Sequence, residues 1–511
     1  MTEQKDRPNI LLLQVDQMTA KALPMYGRPQ VKAPHIAALA SEGALFRNAY
    51  TNFPLCAPSR MSMLSGRYAT ELGVWDNAAE APSSQPTLMH YLRDLGYATV
   101  LCGKMHFVGP DQLHGYEERI TTDIYPSNYA WTPNWDFGEG DRPTGINLTG
   151  VTEAGVCVRS LQMDYDDEVE YFAVRKLFDL ARYEPRPFFM TVSFTQPHSP
   201  FLARQEYWDL YEHEDIELPE VPAIAPEDMD PMSRWIFHAH AGEQLQPTDE
   251  DIRTARHAYY AMISAMDDKV GRLIRTLKEC GLYENTIIVF TSDHGDMMGE
   301  RGQWYKQLFY EWSARVPLII AWPGQLKNHT IDLNVSLVDL MPTLLDLATG
   351  GNPPDTVDRM DGNSLGGFLR TGRCPEWVDT VICEYTGEGA CAPCRMVKQG
   401  DYKYIYTHGS PDLLYHLSED PLELDNKAGV LPEICARLRA LALDGWDPDE
   451  INRRILHNQR QRLLINRVTK GDPVWAYKVL GDDDRRYVRK AGAIQTKALA
   501  RLPRLCKGGS T

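Results

Sequence analysis

The sequence predicts an α/β fold built on a mainly parallel sheet, and three observations predict it. Short apolar, β-branched or aromatic runs recur along the chain; polar residues able to hold a metal or an anion follow most of them at once; segments of helical periodicity lie between them. Residues 9–15 (NILLLQV) lead into Asp16-Gln17. Residues 97–103 lead into Lys104-Met105-His106, and residues 188–195 into Gln196-Pro197-His198. Residues 286–291 lead into Ser292-Asp293-His294-Gly295-Asp296, whereas residues 316–321 end in the plain turn Trp322-Pro323-Gly324. Helical segments are expected over residues 166–181 and 251–280, the second using Tyr259, Tyr260, Met262 and Met266 as core contacts. Ligands of open α/β sheets sit beyond the carboxyl ends of the strands, so Asp16, Lys104, His106, His198, Asp293 and His294 should share one rim. Taken singly, a His after a strand reads as a loop hydrogen-bonder and an Asp as a cap. Their coincidence after four strands describes instead a divalent cation facing a cationic anion pocket.

Composition excludes several classes. With 43% hydrophobic and 24% charged residues in 511, the chain is neither disordered nor collagen-like. A net charge of −17 argues against binding nucleic acid or an anionic membrane through bulk charge. Residues 451–511 hold fifteen Lys and Arg against four Asp, a net of +11 that leaves −28 for residues 1–450, so tail and body should attract each other. The first apolar run is too short for a secretory or membrane-spanning segment, and ten Cys are too few for a disulfide scaffold, so a reducing cytoplasm is expected.

Residues 53–67 (FPLCAPSRMSMLSGR) contain Cys56-x-Pro58-x-Arg60, then a small-residue helical stretch closing on Gly66-Arg67; residues 96–104 (GYATVLCGK) form a second signature. These segments resemble the signatures of type I, formylglycine-dependent sulfatases of the alkaline phosphatase superfamily. The likeness runs from about Asn9 to Asn426 and includes the stretch from Leu414-Tyr415 to Glu423. It implies an alkaline-phosphatase-like sandwich, its mainly parallel central sheet flanked by helices, and a small C-terminal α+β domain with an antiparallel sheet. It also implies that a formylglycine-generating enzyme oxidises Cys56. The hydrated aldehyde then attacks sulfur, and its second hydroxyl later expels sulfate from a covalent sulfo-enzyme intermediate.

By matching positions, the resemblance implies one divalent metal held by Asp16, Asp293, His294 and the modified Cys56, with Gln17 close by. Many sulfatases have Asp where Gln17 stands and Asn where His294 stands. The imidazole suits Mn²⁺, with Ca²⁺ next and Mg²⁺ third. Lys104, His106, His198 and Lys306 would surround the sulfuryl oxygens, Arg60 would fix the nucleophile, and His198, assisted by Lys306, would protonate the leaving group.

Within the family, residues 76–80, 103–115, 121–126 and 295–301 are similar to those of choline sulfatases. A quaternary ammonium group needs aromatic faces and a carboxylate, for which Trp131 and Trp135, after Tyr129, with Asn77, Asp111 and Glu384, are the candidates. Residues 144–150 (TGINLTG) replace a Trp-rich segment of those enzymes, and the basic C-terminal arm also differs. Phosphonate monoester hydrolases share the metal and the formylglycine, so phosphonate monoester or phosphodiester cleavage is the alternative activity. An unconverted, catalytically silent scaffold that binds sulfated ligands is the alternative of another class.

The expected organisation is a catalytic domain over residues 1–372, the antiparallel-sheet domain over 373–448, and a basic arm over 449–511 that makes a dimer or tetramer, with Trp475, Tyr477 and Tyr487 as packing anchors. The expected partners are a small-molecule sulfate ester and the formylglycine-generating enzyme, with neither nucleic acid nor membrane. Cys391-Ala-Pro-Cys394-Arg395 repeats the bare Cys-x-Pro-x-Arg pattern without the helical stretch that follows Arg60, and is expected to carry no chemistry.

Overall fold

A computed structural model describes residues 7–469; the expected anchors Trp475, Tyr477 and Tyr487 lie outside the described residues. The large sheet uses eight strands: β1 (Asn9–Val15), β2 (Ala44–Tyr50), β3 (Ala98–Gly103), β4 (Glu118–Arg119), β5 (Phe188–Ser193), β6 (Thr286–Ser292), β7 (Arg315–Ala321) and β8 (His329–Ser336). Their order is β8-β2-β7-β6-β1-β5-β3-β4, so the first strand lies near the centre. β1 pairs in parallel with β5 and β6, β3 with β5 and β4, and β8 with β2. Only β7 runs against its neighbours. The connection from β6 to β7 carries site loops and two short helical turns, Glu300–Gly302 and Glu311–Ala314, rather than a crossover helix, so the chain returns antiparallel.

β1 shows why the sheet is a middle layer. Leu11, Leu13 and Val15 point into one core with Val169, Ala173 and Leu177 of α3 (Leu161–Tyr183) and with Tyr259, Met262 and Met266 of α4 (Asp249–Glu279). Ile10 and Leu12 point into the opposite core with Met61 and Leu64 of α2 (Cys56–Ser65) and with Leu340, Leu344 and Leu347 of α5 (Leu340–Ala348). Period-two alternation thus feeds two helical layers. α1 (Pro34–Glu42) joins the first of them through Ile36, Leu39 and Ala40.

A second, antiparallel sheet runs β9 (Thr380–Tyr385), β10 (Cys394–Gln399), β11 (Tyr402–Thr407) and β12 (Leu413–His416), accompanied by α6 (Pro432–Leu443). The chain then enters α7 (Pro448–Val468). Among the described residues no helix is long and apolar enough to cross a membrane.

Candidate active site

The carboxyl ends of β1, β3, β5 and β6 and the first residue of α2 meet at one rim. Asp16 and Gln17 follow β1 directly, and Asp293 and His294 follow β6. Cys56 opens α2, whose ten residues are all buried, so its side chain sits at the positive end of a helix inside the protein. One ligand atom each from Asp16, Cys56, Asp293 and His294 lie within 4.8 Å of one another, all buried. His294 Nδ1 lies 3.1 Å from the Gly295 carbonyl and Nε2 lies 3.3 Å from Cys56 Sγ, so Nε2 is the nitrogen turned toward the other candidate ligands. Two carboxylates, an imidazole nitrogen and a sulfur or its oxidised successor make a donor set that fits a divalent transition metal.

Arg60 and Lys104 hold the carboxylates in place. Arg60 donates from Nε to Asp293 at 2.9 Å and from Nη2 to Asp16 at 3.1 Å, and its Nη1 goes to the Lys104 carbonyl at 2.7 Å and to Ser193 Oγ at 2.8 Å. Its donors are therefore turned to the carboxylates and the strand ends, one step behind Cys56. Lys104 Nζ is paired with Asp16 Oδ2 and lies 4.2 Å from the Tyr125 ring centroid. Burial and the Cys56 sulfur raise the Asp16 pKa, but the Lys104 and Arg60 charges more than offset them and bring it down to about 2. Burial likewise opposes ionisation of the Cys56 thiol, yet Lys104, Lys306 and His294 pull it well below its ordinary value. The close approach behind Lys104 depends on Gly103, where φ is +109° and an added Cβ would stand 2.0 Å from the Ser193 carbonyl oxygen.

His106, His198 and Lys306, the residues expected to surround an anion, line one cleft with Cys56. Asp123 accepts from the backbone N–H groups of Met105 at 3.0 Å and His106 at 2.8 Å, fixing the turn that carries the His106 ring. Both nitrogens of that buried ring lack a protein partner. Asp166 of α3 does the same for the His198 turn, accepting from Thr195 N at 2.7 Å and Gln196 N at 2.9 Å. Lys306 Nζ donates to Gln17 Oε1 at 2.8 Å and to His198 Nε2 at 2.6 Å. Burial and then the Lys306 charge push the His198 pKa down. Gln17 also donates from Nε2 to Asp296 at 2.6 Å, so its amide is engaged on both sides.

A cleft of about 280 Å³ lies at this rim, lined by Cys56, His106, His198 and Lys306 together with Asn77, Tyr125, Trp131, Asn147 and Glu388. Tyr125 and Trp131 pack with centroids 5.5 Å apart. Residues 144–147 of the segment that replaces the Trp-rich stretch make the facing wall with Thr149 and Gly150.

Of the expected leaving-group residues, Asn77 and Trp131 line the cleft; Asp111 and Glu384 do not. Asp111 caps a turn, accepting from Leu113 N at 3.1 Å and His114 N at 3.0 Å. Glu384 lies on β9, fully buried, bound to Thr70 and paired with Arg395 at 3.5 Å. The Arg of the second Cys-x-Pro-x-Arg pattern is thus a structural counter-ion. Trp135 is buried in the core with its backbone N–H on Gln459, and Tyr129 donates to Glu80. The carboxyl that faces the cleft is Glu388, which the sequence reading missed. Its Oε1 accepts from Asn77 Nδ2 at 3.0 Å, while its buried Oε2 lacks a protein partner. The available signal was a second carboxyl four residues after Glu384, in the Gly-rich stretch 386–390 that follows β9.

The sulfatase family profile matches residues 8–351, and the profile for the C-terminal part of N-sulphoglucosamine sulphohydrolase matches residues 299–438. The chain is 41% identical to a choline-sulfatase of Rhizobium meliloti over 96% of this chain and 97% of that one. It is 31% identical to arylsulfatase K of Gallus gallus over 84% of this chain and 80% of that one. A phosphonate monoester hydrolase from Silicibacter pomeroyi superposes with TM-score 0.68 at 25% identity, covering 86% of this chain and 95% of that one. That of Agrobacterium radiobacter gives 0.69 at 24% identity with the same coverage, a likeness of fold.

Proposed function

The chain belongs to the sulfatase family, and from that premise we propose that it is a formylglycine-dependent hydrolase of a small cationic alkyl sulfate of the choline-sulfate kind. The observation that carries this reading is that one cleft is lined both by Cys56, whose ligand atom lies within 4.8 Å of those of Asp16, Asp293 and His294, and by Trp131, Tyr125 and Glu388, whose Oε2 lacks a protein partner. Aromatic faces beside a carboxylate are what a quaternary ammonium requires. Burial holds the Glu388 pKa up at about 8, and an arriving cation favours its ionised form, so binding releases a proton. The 41% identity to a choline-sulfatase supports the same leaving group.

When bound, a divalent ion held by Asp16, Asp293, His294 and the modified Cys56 supplies charge neutralisation at the sulfuryl oxygens, and the formylglycine hydrate supplies the oxygen nucleophile. Lys104, His106 and Lys306 orient the sulfuryl group. Arg60 holds the two carboxylates, and Gln17 holds the Lys306 ammonium against His198. The proton that this pair carries at the mouth of the anion pocket goes to the departing oxygen. The imidazole donor favours Mn²⁺ over Ca²⁺ and Mg²⁺. The same reading takes residues 1–372 as the catalytic domain, 373–448 as its small companion, and the basic arm from residue 449 as the oligomerisation element of a cytoplasmic dimer or tetramer, matured by a formylglycine-generating enzyme.

A second reading, hydrolysis of phosphonate monoesters or phosphodiesters at the same site, draws on the likeness to the Silicibacter pomeroyi enzyme. The test is kcat/KM for choline sulfate, an uncharged aryl sulfate and an aryl phosphonate monoester on one preparation with confirmed Cys56 conversion. A choline preference of about 10² or more, about 2.7 kcal/mol at the transition state, is expected. Equal or reversed preference would overturn the cationic leaving group, and dominant phosphonate turnover would establish the second reading.

A further inference from the structure

α7 is a polar helix whose buried face is Ile451, Ile455, Gln459 and Arg462. These positions recur every three or four residues and form one stripe, half of it apolar and half polar. What the polar half touches is informative. Arg462 donates from Nη1 and Nη2 to the two oxygens of Asp76, each at 2.7 Å, with both partners buried. Its Nη1 also lies 3.2 Å from Thr132 Oγ1. One turn earlier, Gln459 Oε1 accepts from the Trp135 backbone N–H at 3.0 Å. The Arg454 guanidinium lies 4.9 Å from the Trp75 ring centroid.

These contacts fall on two loops, and each loop places a residue adjacent to the contact in the cleft. Asp76 precedes Asn77, which accepts from Ala57 N at the start of α2 and donates to Glu388. Thr132 follows Trp131, the aromatic wall. The single Arg462 side chain therefore ties together the loops bearing the Asn77 amide that binds Glu388 and the Trp131 ring that lines the same cleft. A buried ion pair is a poor way to gain stability, because desolvation offsets much of the attraction, whereas a planar two-pronged contact fixes orientation.

We propose that Arg462 is a positioning residue for the leaving-group end of the cleft: by gripping Asp76 and Thr132 it sets Asn77, Glu388 and Trp131 relative to one another, and it does not act on the sulfuryl end. This rests on the reading that the part of the cleft lined by Asn77, Trp131 and Glu388 receives the leaving group.

The experiment uses the full-length, converted enzyme and the ester that the wild type hydrolyses best, whether choline sulfate or another. Arg462→Lys keeps the charge and loses the planar fork; Asp76→Asn keeps one hydrogen bond and serves where the first variant folds poorly. For both, KM is expected to rise about tenfold with kcat within a factor of about two, while the inhibition constant of inorganic sulfate, which occupies the metal end, stays unchanged. An unchanged KM overturns the proposal, and so does a parallel rise in KM and in the sulfate inhibition constant, which a merely structural role would give. A wild type without choline preference counts against the proposed substrate, while the KM split on its best ester still decides Arg462.

Discussion

The Lys306 ammonium donates to His198 Nε2 across 2.6 Å, and the other ring nitrogen, Nδ1, lies 2.6 Å from the Ser199 carbonyl. His198 is thus a neutral ring with its own N–H spent and its lone pair on Lys306, and the mobile proton of the pair sits on the lysine. Lys306→Ala should lower kcat/KM for an alkyl sulfate by about 10²–10⁴, and much less for an aryl sulfate whose leaving group needs no proton. A series of aryl sulfates of graded leaving-group pKa measures this as a steeper dependence in the variant. An unchanged slope would remove the pair from proton transfer.

Asp16 and Asp293 are buried beside each other, with Arg60 paired to both. Arg60→Met leaves two carboxylates facing each other with less compensation, a loss of about 3–5 kcal/mol for a broken buried pair. Added Mn²⁺ binds the folded state and should recover part of that, about 2.7 kcal/mol at a hundredfold excess over its Kd. Thermal unfolding with and without metal checks both: the metal-induced rise in Tm should be larger in the variant than in the wild type.

Glu388 has an ordinary carboxyl pKa when unfolded and about 8 where burial in the folded protein raises it. Below that value a proton must leave before a cation is paired, so kcat/KM for a cationic sulfate should rise with pH up to about 8. A neutral aryl sulfate should not share this limb. Glu388→Gln should abolish the limb and lower kcat/KM for choline sulfate by about tenfold or more while sparing the neutral ester. A variant that keeps the alkaline rise would assign it elsewhere.

Burial raises the Asp166 pKa to about 7, although it accepts from Thr195 and Gln196 N–H groups. Between the unfolded value near 4 and that folded value the native state binds the extra proton, so this group's contribution to stability is full at low pH and is lost as pH rises through about 7. Asp166→Asn keeps an acceptor and removes the titration. Its Tm difference from wild type should therefore grow more favourable between pH 5 and pH 8; a constant difference would exclude the effect.

The sheet was legible where strands are buried on both faces. Residues 9–15 and 286–291 read as continuous apolar runs, and β1 and β6 occupy them. β2 and β8 were not legible, because Arg47, Asn48, Asp332 and Asn334 interrupt the pattern. The rim residues were legible for a topological reason, since parallel strands deliver their carboxyl ends to one side. Side-chain direction was not. Position 60 was evident in the signature, but that its guanidinium serves Asp16 and Asp293 follows from the close packing of α2 against β1 and β6. Glu384 and Glu388 differ in sequence by one helical turn's spacing, yet one lies within a strand ladder and the other on a loop, and only the loop reaches the cleft.

Cys56 is 1% exposed and begins a helix whose ten residues are all buried, under a sheet whose central strand comes from residues 9–15 and whose neighbour comes from residues 286–292. On the proposed formylglycine reading, the oxidation of Cys56 then has a deadline. An enzyme that grips the segment around Cys56 would have access only until the β1–β6 ladder closes, and that ladder waits for synthesis of residues 286–292, more than half the chain. Catalytic competence would then be decided during biogenesis.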